Sequence, residues 1–171
     1  MPDQLSLPRH RDLEGRERRP WTRWLLLGLV GLLLLLGLLN VFGQRPETTR
    51  AESAAASLKV YSPSRLRSGL FYESRFTIEA HRELRNATLV LDPGWLEGMT
   101  LNTLEPSPIG EASRDGRIAL ELGRVPAGAL HRFFLHFQVN PTNIGYREQD
   151  VELHDGETPI LHLDRTVTIF P

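Results

Sequence analysis

The side chains able to carry chemistry gather late in the chain. His154 and His162 flank Asp155-Gly156, a dipeptide that reads as a hairpin turn, so a hairpin is what would bring the two imidazoles together. Imidazole is both a general acid–base group and a ligand for zinc-class metals. Asp150, Glu152, Asp155 and Glu157 lie in the same region, but they lack the ordered spacing of a calcium-binding loop. The expectation is a solvated acidic edge with no metal and no cofactor, in which His154 and His162 are the one pair worth testing. His131 and His136 lie an odd number of positions apart on one strand and point to opposite faces.

Nucleophilic catalysis has even less to draw on. Neither a Gly-x-Ser-x-Gly elbow nor a Ser-x-x-Lys pair occurs, and with no cysteine there is no thiolate nucleophile, no thiolate metal site and no disulfide. Asp92, Glu97 and Glu105 could supply paired carboxylates for glycoside cleavage, yet nothing selects them over other surface acids. The expectation is that the chain is not an enzyme. Trp95 follows the turn Asp92-Pro93-Gly94, and an indole exposed on such a rim can stack on a sugar or anchor a protein. Trp95 and Asp92 are therefore the candidate binding rim.

The elements that would position these residues begin after an apolar block. From Trp24 to Gln44 there is no charged residue, a length that matches a hydrocarbon core of roughly 30 Å and shows no polar face. Trp21 and Trp24 mark one boundary, and Arg23 and Arg45 bracket the run. The reading is one transmembrane helix over 24–42. Arg9, Arg11, Arg16, Arg18, Arg19 and Arg23 precede it, whereas only Arg45 and Arg50 closely follow, so the N-terminus is expected in the cytoplasm and the C-terminal part outside. A cleaved signal peptide would have an apolar region of about 7 to 15 residues, which favours a retained anchor. Residues 1–23 form an Arg-rich tail expected to be disordered, and 43–57 a polar stalk without apolar periodicity.

From 58 to 171 the pattern is short apolar alternations punctuated by turns, which reads as all-β. Leu70 to Ala80 is the clearest strand, with Tyr72, Ser74, Phe76, Ile78 and Ala80 on one face. Ala87 to Leu91, Met99 to Leu104, the alternation of Ile118, Leu120 and Leu122 after Asp115-Gly116, the core run Phe133, Leu135, Phe137, Val139, the more polar Tyr146 to Leu153, Ile160 to Leu163 and Thr166 to Phe170 complete the set. About eight strands in little more than the roughly 100 residues of an immunoglobulin-type domain predict an immunoglobulin-like antiparallel β-sandwich behind one transmembrane helix.

The segment Gly123-Arg-Val-Pro-Ala-Gly128, the strand ending Phe137-Gln-Val-Asn-Pro141, then Gly145 and a strand running into Asp155-Gly156, resembles the second half of bacterial extracytoplasmic immunoglobulin-like modules. The whole chain, in Asp92-Pro-Gly-Trp95 and Asn102-Thr-Leu-Glu-Pro106, resembles small single-pass actinobacterial membrane proteins of unassigned function. The resemblance implies fold and location, and carries no active site. A net charge of −1 argues against nucleic acid as a partner. The expected partners are the bilayer, through 24–42, and another membrane or envelope protein, for which this chain would be an accessory or scaffolding module. Binding of cell-wall glycan or a small ligand at the Trp95 rim is the alternative, and an enzyme of unrecognised type, which would need a pocket with titratable groups in mutual reach, comes third.

Overall fold

A computed structural model describes residues 20–41 and 43–171 and divides the chain at Val41/Phe42 into two units. The Arg-rich tail, as far as residue 19, and Phe42 lie outside the described residues.

The first unit is one helix, α1 (Pro20–Leu38). It starts earlier than the apolar run, at Pro20, whose fixed φ and missing N–H suit the opening of a helix. It also stops earlier. Asn40 adopts a left-handed φ of 53°, with Val41 N–H on the Leu36 carbonyl at 3.1 Å and Asn40 N–H on that of Gly37 at 3.0 Å. This paired arrangement caps the final carbonyls and ends the helix before residue 42. By length and composition α1 can cross a membrane, with mean hydropathy 1.9 over Trp21–Leu38.

The second unit is built from two sheets. The strands in chain order are β1 (Arg45–Glu52), β2 (Ala56–Arg67), β3 (Phe71–Ala80), β4 (Leu84–Leu91), β5 (Met99–Glu105), β6 (Gly110–Arg114), β7 (Arg117–Val125), β8 (Leu130–Val139), β9 (Gly145–Glu148), β10 (Val151–Asp155), β11 (Thr158–Leu163) and β12 (Thr166–Phe170). The larger sheet runs β5-β8-β3-β2-β12-β9 with β1 also on β2, and the smaller runs β11-β10-β4-β7-β6. All pairings are antiparallel except β12 with β2. One core lies between them, with Phe76, Phe133, Phe137 and Leu58 from the larger sheet meeting Leu89, Leu120 and Leu153 from the smaller.

The alternations read from the sequence mark the inward faces of the two central strands. Tyr72, Ser74, Phe76, Ile78 and Ala80 are buried on β3, and Phe133, Leu135, Phe137 and Val139 on β8. Ser74 keeps its place in an apolar row because its hydroxyl bonds that of Ser62 at 2.7 Å.

Two expectations need correction. Residues 43–57 are not a free stalk: β1 pairs with β2 from Arg45↔Arg65 to Glu52↔Ser57. Its sequence, RPETTRAE, brings only the partly buried Ala51 against the core, and it is held mainly by backbone pairing, with Pro46 opposite Pro63, which likewise has no N–H to give. Nor is Tyr146 to Leu153 one strand. The chain leaves the larger sheet after β9, turns through Gln149 and Asp150, and enters the smaller sheet as β10.

Candidate functional site

Asp92, Pro93, Gly94 and Trp95 sit at that same crossing. Pro93 opens a single 3-10 turn over Pro93–Trp95, and the Trp95 N–H returns to the Asp92 carbonyl at 3.1 Å. A Cβ on Gly94 would stand 1.9 Å from the Glu148 carbonyl oxygen, so only glycine lets the turn lie against the end of β9. The consequence overturns the rim expectation: Trp95 is fully buried (0 % exposed) and sits 5.3 Å from Phe76 and 5.7 Å from Phe137. Its indole N–H donates to the Gln149 carbonyl at 3.0 Å, which satisfies the one polar atom such burial would otherwise strand. Asp92 stays half-buried, 3.6 Å from the Arg117 guanidinium.

Beneath Trp95 is a buried polar group that the sequence does not flag. Arg165 donates to Gln149 Oε1 at 2.6 Å and to the Pro63 carbonyl, with its guanidinium over the indole. Burial pulls its pKa down to about 10. Gln149 in turn reaches the Tyr72 hydroxyl at 3.5 Å, and burial holds that phenol well above its usual range.

His154 and His162 do come together, through Glu152 between them. His154 is buried, and its Nε2 lies 2.8 Å from Glu152 Oε2 while Arg114 approaches Nδ1 at 3.3 Å. His162 is half-exposed, with Nδ1 3.5 Å from Glu152 Oε1 and Nε2 3.0 Å from Asp164 Oδ1 and 3.8 Å from Asp150 Oδ2. Arg117 donates to Glu152 at 2.7 Å. Burial alone would raise the Glu152 carboxyl, but the bonds from His154 and Arg117 outweigh it and hold the group below its ordinary value. Burial would likewise lower His162, and the bond to Asp164 with the fields of Asp164, Asp150 and Glu152 holds it above. Asp155 and Glu157 stand apart from this set: Asp155 accepts the Asn86 N–H at 2.8 Å and Glu157 pairs with Arg114 at 3.0 Å. Asp164 escaped the sequence reading because it follows β11 outside the acidic run; its closeness to His162 in a two-residue step is the signal that was there.

A second surface appears only once the strands are registered. On the outer face of the larger sheet, Thr48↔Tyr61, Tyr61↔Arg75 and Arg75↔Phe134 make one row across β1, β2, β3 and β8. The Arg75 guanidinium lies 5.7 Å from the Tyr61 ring and 5.1 Å from that of Phe134. The next row sets Arg50 directly opposite Lys59, then Thr77 and Arg132. Open grooves of about 520 and 390 Å³ run along these rows. At the β9 edge of the same sheet, near Asp92, a groove of about 440 Å³ has Tyr146 on its lip, 77 % exposed.

No protein-family model matches the chain, and no curated protein matches it. Among solved structures, the chitin-binding domain of a chitinase from Pyrococcus furiosus is similar at 12% identity and a TM-score of 0.34, covering 69% of this chain and 98% of that one. A likeness of that size is silent on ligand and mechanism.

Proposed function

We propose that the chain is a membrane-anchored, extracytoplasmic interaction module that binds another envelope protein through the outer face of its larger sheet. The observation that carries this reading is Arg75 held between Tyr61 and Phe134, with Glu73 on its guanidinium at 3.2 Å, next to a row that carries Arg50, Lys59 and Arg132. Arg and Tyr dominate the energetics of protein interfaces when ordered in advance. Placing Arg50 directly opposite Lys59 costs the free fold something, because like charges across a strand pair repel. An acidic partner surface with an apolar centre would relieve that repulsion.

The anchor reading rests on the apolar stretch of α1, and the orientation rests on the six arginines that precede it. The immunoglobulin-like reading is supported by the strand orders. Runs β2-β3-β8-β5 and β11-β10-β4 follow the A-B-E-D and G-F-C sheets of that fold in chain order, with the β6–β7 hairpin inserted between D and E beside β4, and β12 added after G.

The test is site-specific photocrosslinking in cells at native expression, with the probe at Tyr61, at Phe134, or at Ser113 on β6 of the smaller sheet. Adducts of one mass at Tyr61 and Phe134, absent at Ser113 and lost with Arg75→Glu, are expected. Equal labelling from both sheets, or none, would overturn the reading. Recognition of glycan or a small ligand remains a second reading with its own observation: it moves from the buried Trp95 to Tyr146 and its groove. Retention on cell-wall glycan that Tyr146→Ala leaves unchanged would end it.

A further inference from the structure

We propose that Asp150, His162 and Asp164 form a binding site for a zinc-class divalent cation at the mouth of the β10–β11 hairpin. One donor atom from each lies within 4.8 Å of the others. The Nε2 of His162 is 3.0 Å from Asp164 Oδ1 and 3.8 Å from Asp150 Oδ2. Tetrahedral coordination with metal–ligand distances of about 2.0 to 2.2 Å needs donors roughly 3.3 Å apart; the two His162 contacts reach this with adjustments of well under 1 Å, and the Asp150–Asp164 pair, within 4.8 Å, by a rotation of the exposed Asp164 side chain.

Three features separate this from an ordinary cluster of surface acids. An imidazole sits at its centre, and imidazole with carboxylate suits zinc, copper or nickel better than calcium or magnesium. The other nitrogen of that imidazole faces Glu152 Oε1 at 3.5 Å. With the cation replacing the Nε2 proton, the remaining proton on Nδ1 is held by a carboxylate, as in the carboxylate–histidine–metal arrangement that orients metal-bound histidines. That carboxylate is itself fixed, by Arg117 at 2.7 Å and by His154 at 2.8 Å. Finally, Asp150 is held by a backbone group: its Oδ1 accepts the Arg165 N–H at 2.7 Å, which leaves Oδ2 for the cation. The half-exposed His162 and the exposed Asp164 leave the fourth position to water or to a donor from a bound partner. This site is separate from the outer face of the larger sheet and does not depend on it.

The experiment is calorimetric titration of the full chain in detergent micelles with Zn²⁺, backed by the visible spectrum of the Co²⁺ form, whose band intensity reports tetrahedral geometry. Saturable binding of a single equivalent is expected. Affinity should fall by roughly tenfold or more in His162→Ala and Asp150→Asn, and by about 10- to 100-fold in Glu152→Gln, which touches no metal. His136→Ala, an exposed histidine near Glu73 on the other sheet, should bind as the parent does. Unfolding without metal should be close in the parent and in His162→Ala when measured above the pH range in which His162 holds its proton, where its pairing with the neighbouring carboxylates no longer contributes. Absence of saturable binding, or binding that His162→Ala leaves intact, would overturn the proposal.

Discussion

The guanidinium of Arg165 lies over the indole of Trp95, 5.2 Å from the ring centre, with both side chains buried at one end of the core. Among the described residues no carboxylate forms an ion pair with Arg165; its charge is met by the Gln149 side chain, the Pro63 carbonyl and the face of the ring. Removing it strands acceptors that water cannot reach, each worth about 1–3 kcal/mol. Arg165→Ala should therefore destabilise by at least that much. Trp95→Ala, which empties a large site beside Phe76 and Phe137, should cost about 3–5 kcal/mol. A double-mutant cycle by urea unfolding should give a coupling of about 1–2 kcal/mol, the scale of a desolvated cation–π contact. Additive losses would show that the two residues share a location and no energy.

Gly94 is the backbone condition for that burial. Its φ is ordinary, so the constraint is one of space: a methyl group there meets the Glu148 carbonyl oxygen at 1.9 Å. Gly94→Ala should lower the melting temperature by as much as a core truncation and shift the Trp95 fluorescence maximum to the red, as the turn lifts and the indole meets water. An unshifted maximum would mean that β9 moves instead of the turn.

Much of the larger sheet was legible in the sequence because its inner face obeys a period of two. Tyr72 to Ala80 and Phe133 to Val139 could be assigned face by face from their types alone. The crossing from β9 to β10 was hidden, because Gln149 and Asp150 are polar residues that read as a continuation of a wet strand while serving as the pivot between sheets. Trp95 was misplaced for a related reason. A turn signature locates a reversal of the chain but not the side on which the next residue falls, and the glycine that pulls Trp95 inward looks the same as one that merely permits a turn. The metal donors were half-visible: the His162 region was flagged, but the partner that matters most to Nε2, Asp164, follows the strand and not the acidic run. The Tyr61–Arg75–Phe134 row lies on three strands, so no local pattern could have revealed it.

The strand β1 offers a direct contrast between stalk and sheet. Replacing residues 45–52 with a Gly/Ser stretch of equal length would leave a stalk's domain unaffected. Because β1 pairs along its whole length with β2, and Ala51 packs on the core, the replacement should instead remove several cross-strand hydrogen bonds of about 0.5–1.5 kcal/mol each. Unfolding should shift accordingly by about 2–4 kcal/mol. Hydrogen exchange should also rise in the β2 amides that β1 covers, while those of β7 stay protected.

His131 sets a pH dependence whose sign follows from burial. It lies on β8 opposite Ile78, with the Phe133 ring 6.0 Å away, and burial pushes its pKa below the ordinary value. The unfolded chain carries no such penalty and takes up a proton at a higher pH than the folded one does. Between the two values the unfolded state binds more protons, so stability falls as the pH drops through the ordinary histidine value of about 6.5 toward the lowered one. His162 is shifted the opposite way and acts in a neighbouring range, so the parent's total pH profile does not isolate either group. The difference between the parent and His131→Phe does. That variant should lose the acid-side decline attributable to this residue, and its stability relative to the parent should grow as pH falls from about 7.5 to 5.5. A difference that stays constant over that interval would mean that His131 titrates alike in both states, and that its packing against β3 leaves the ring open to water.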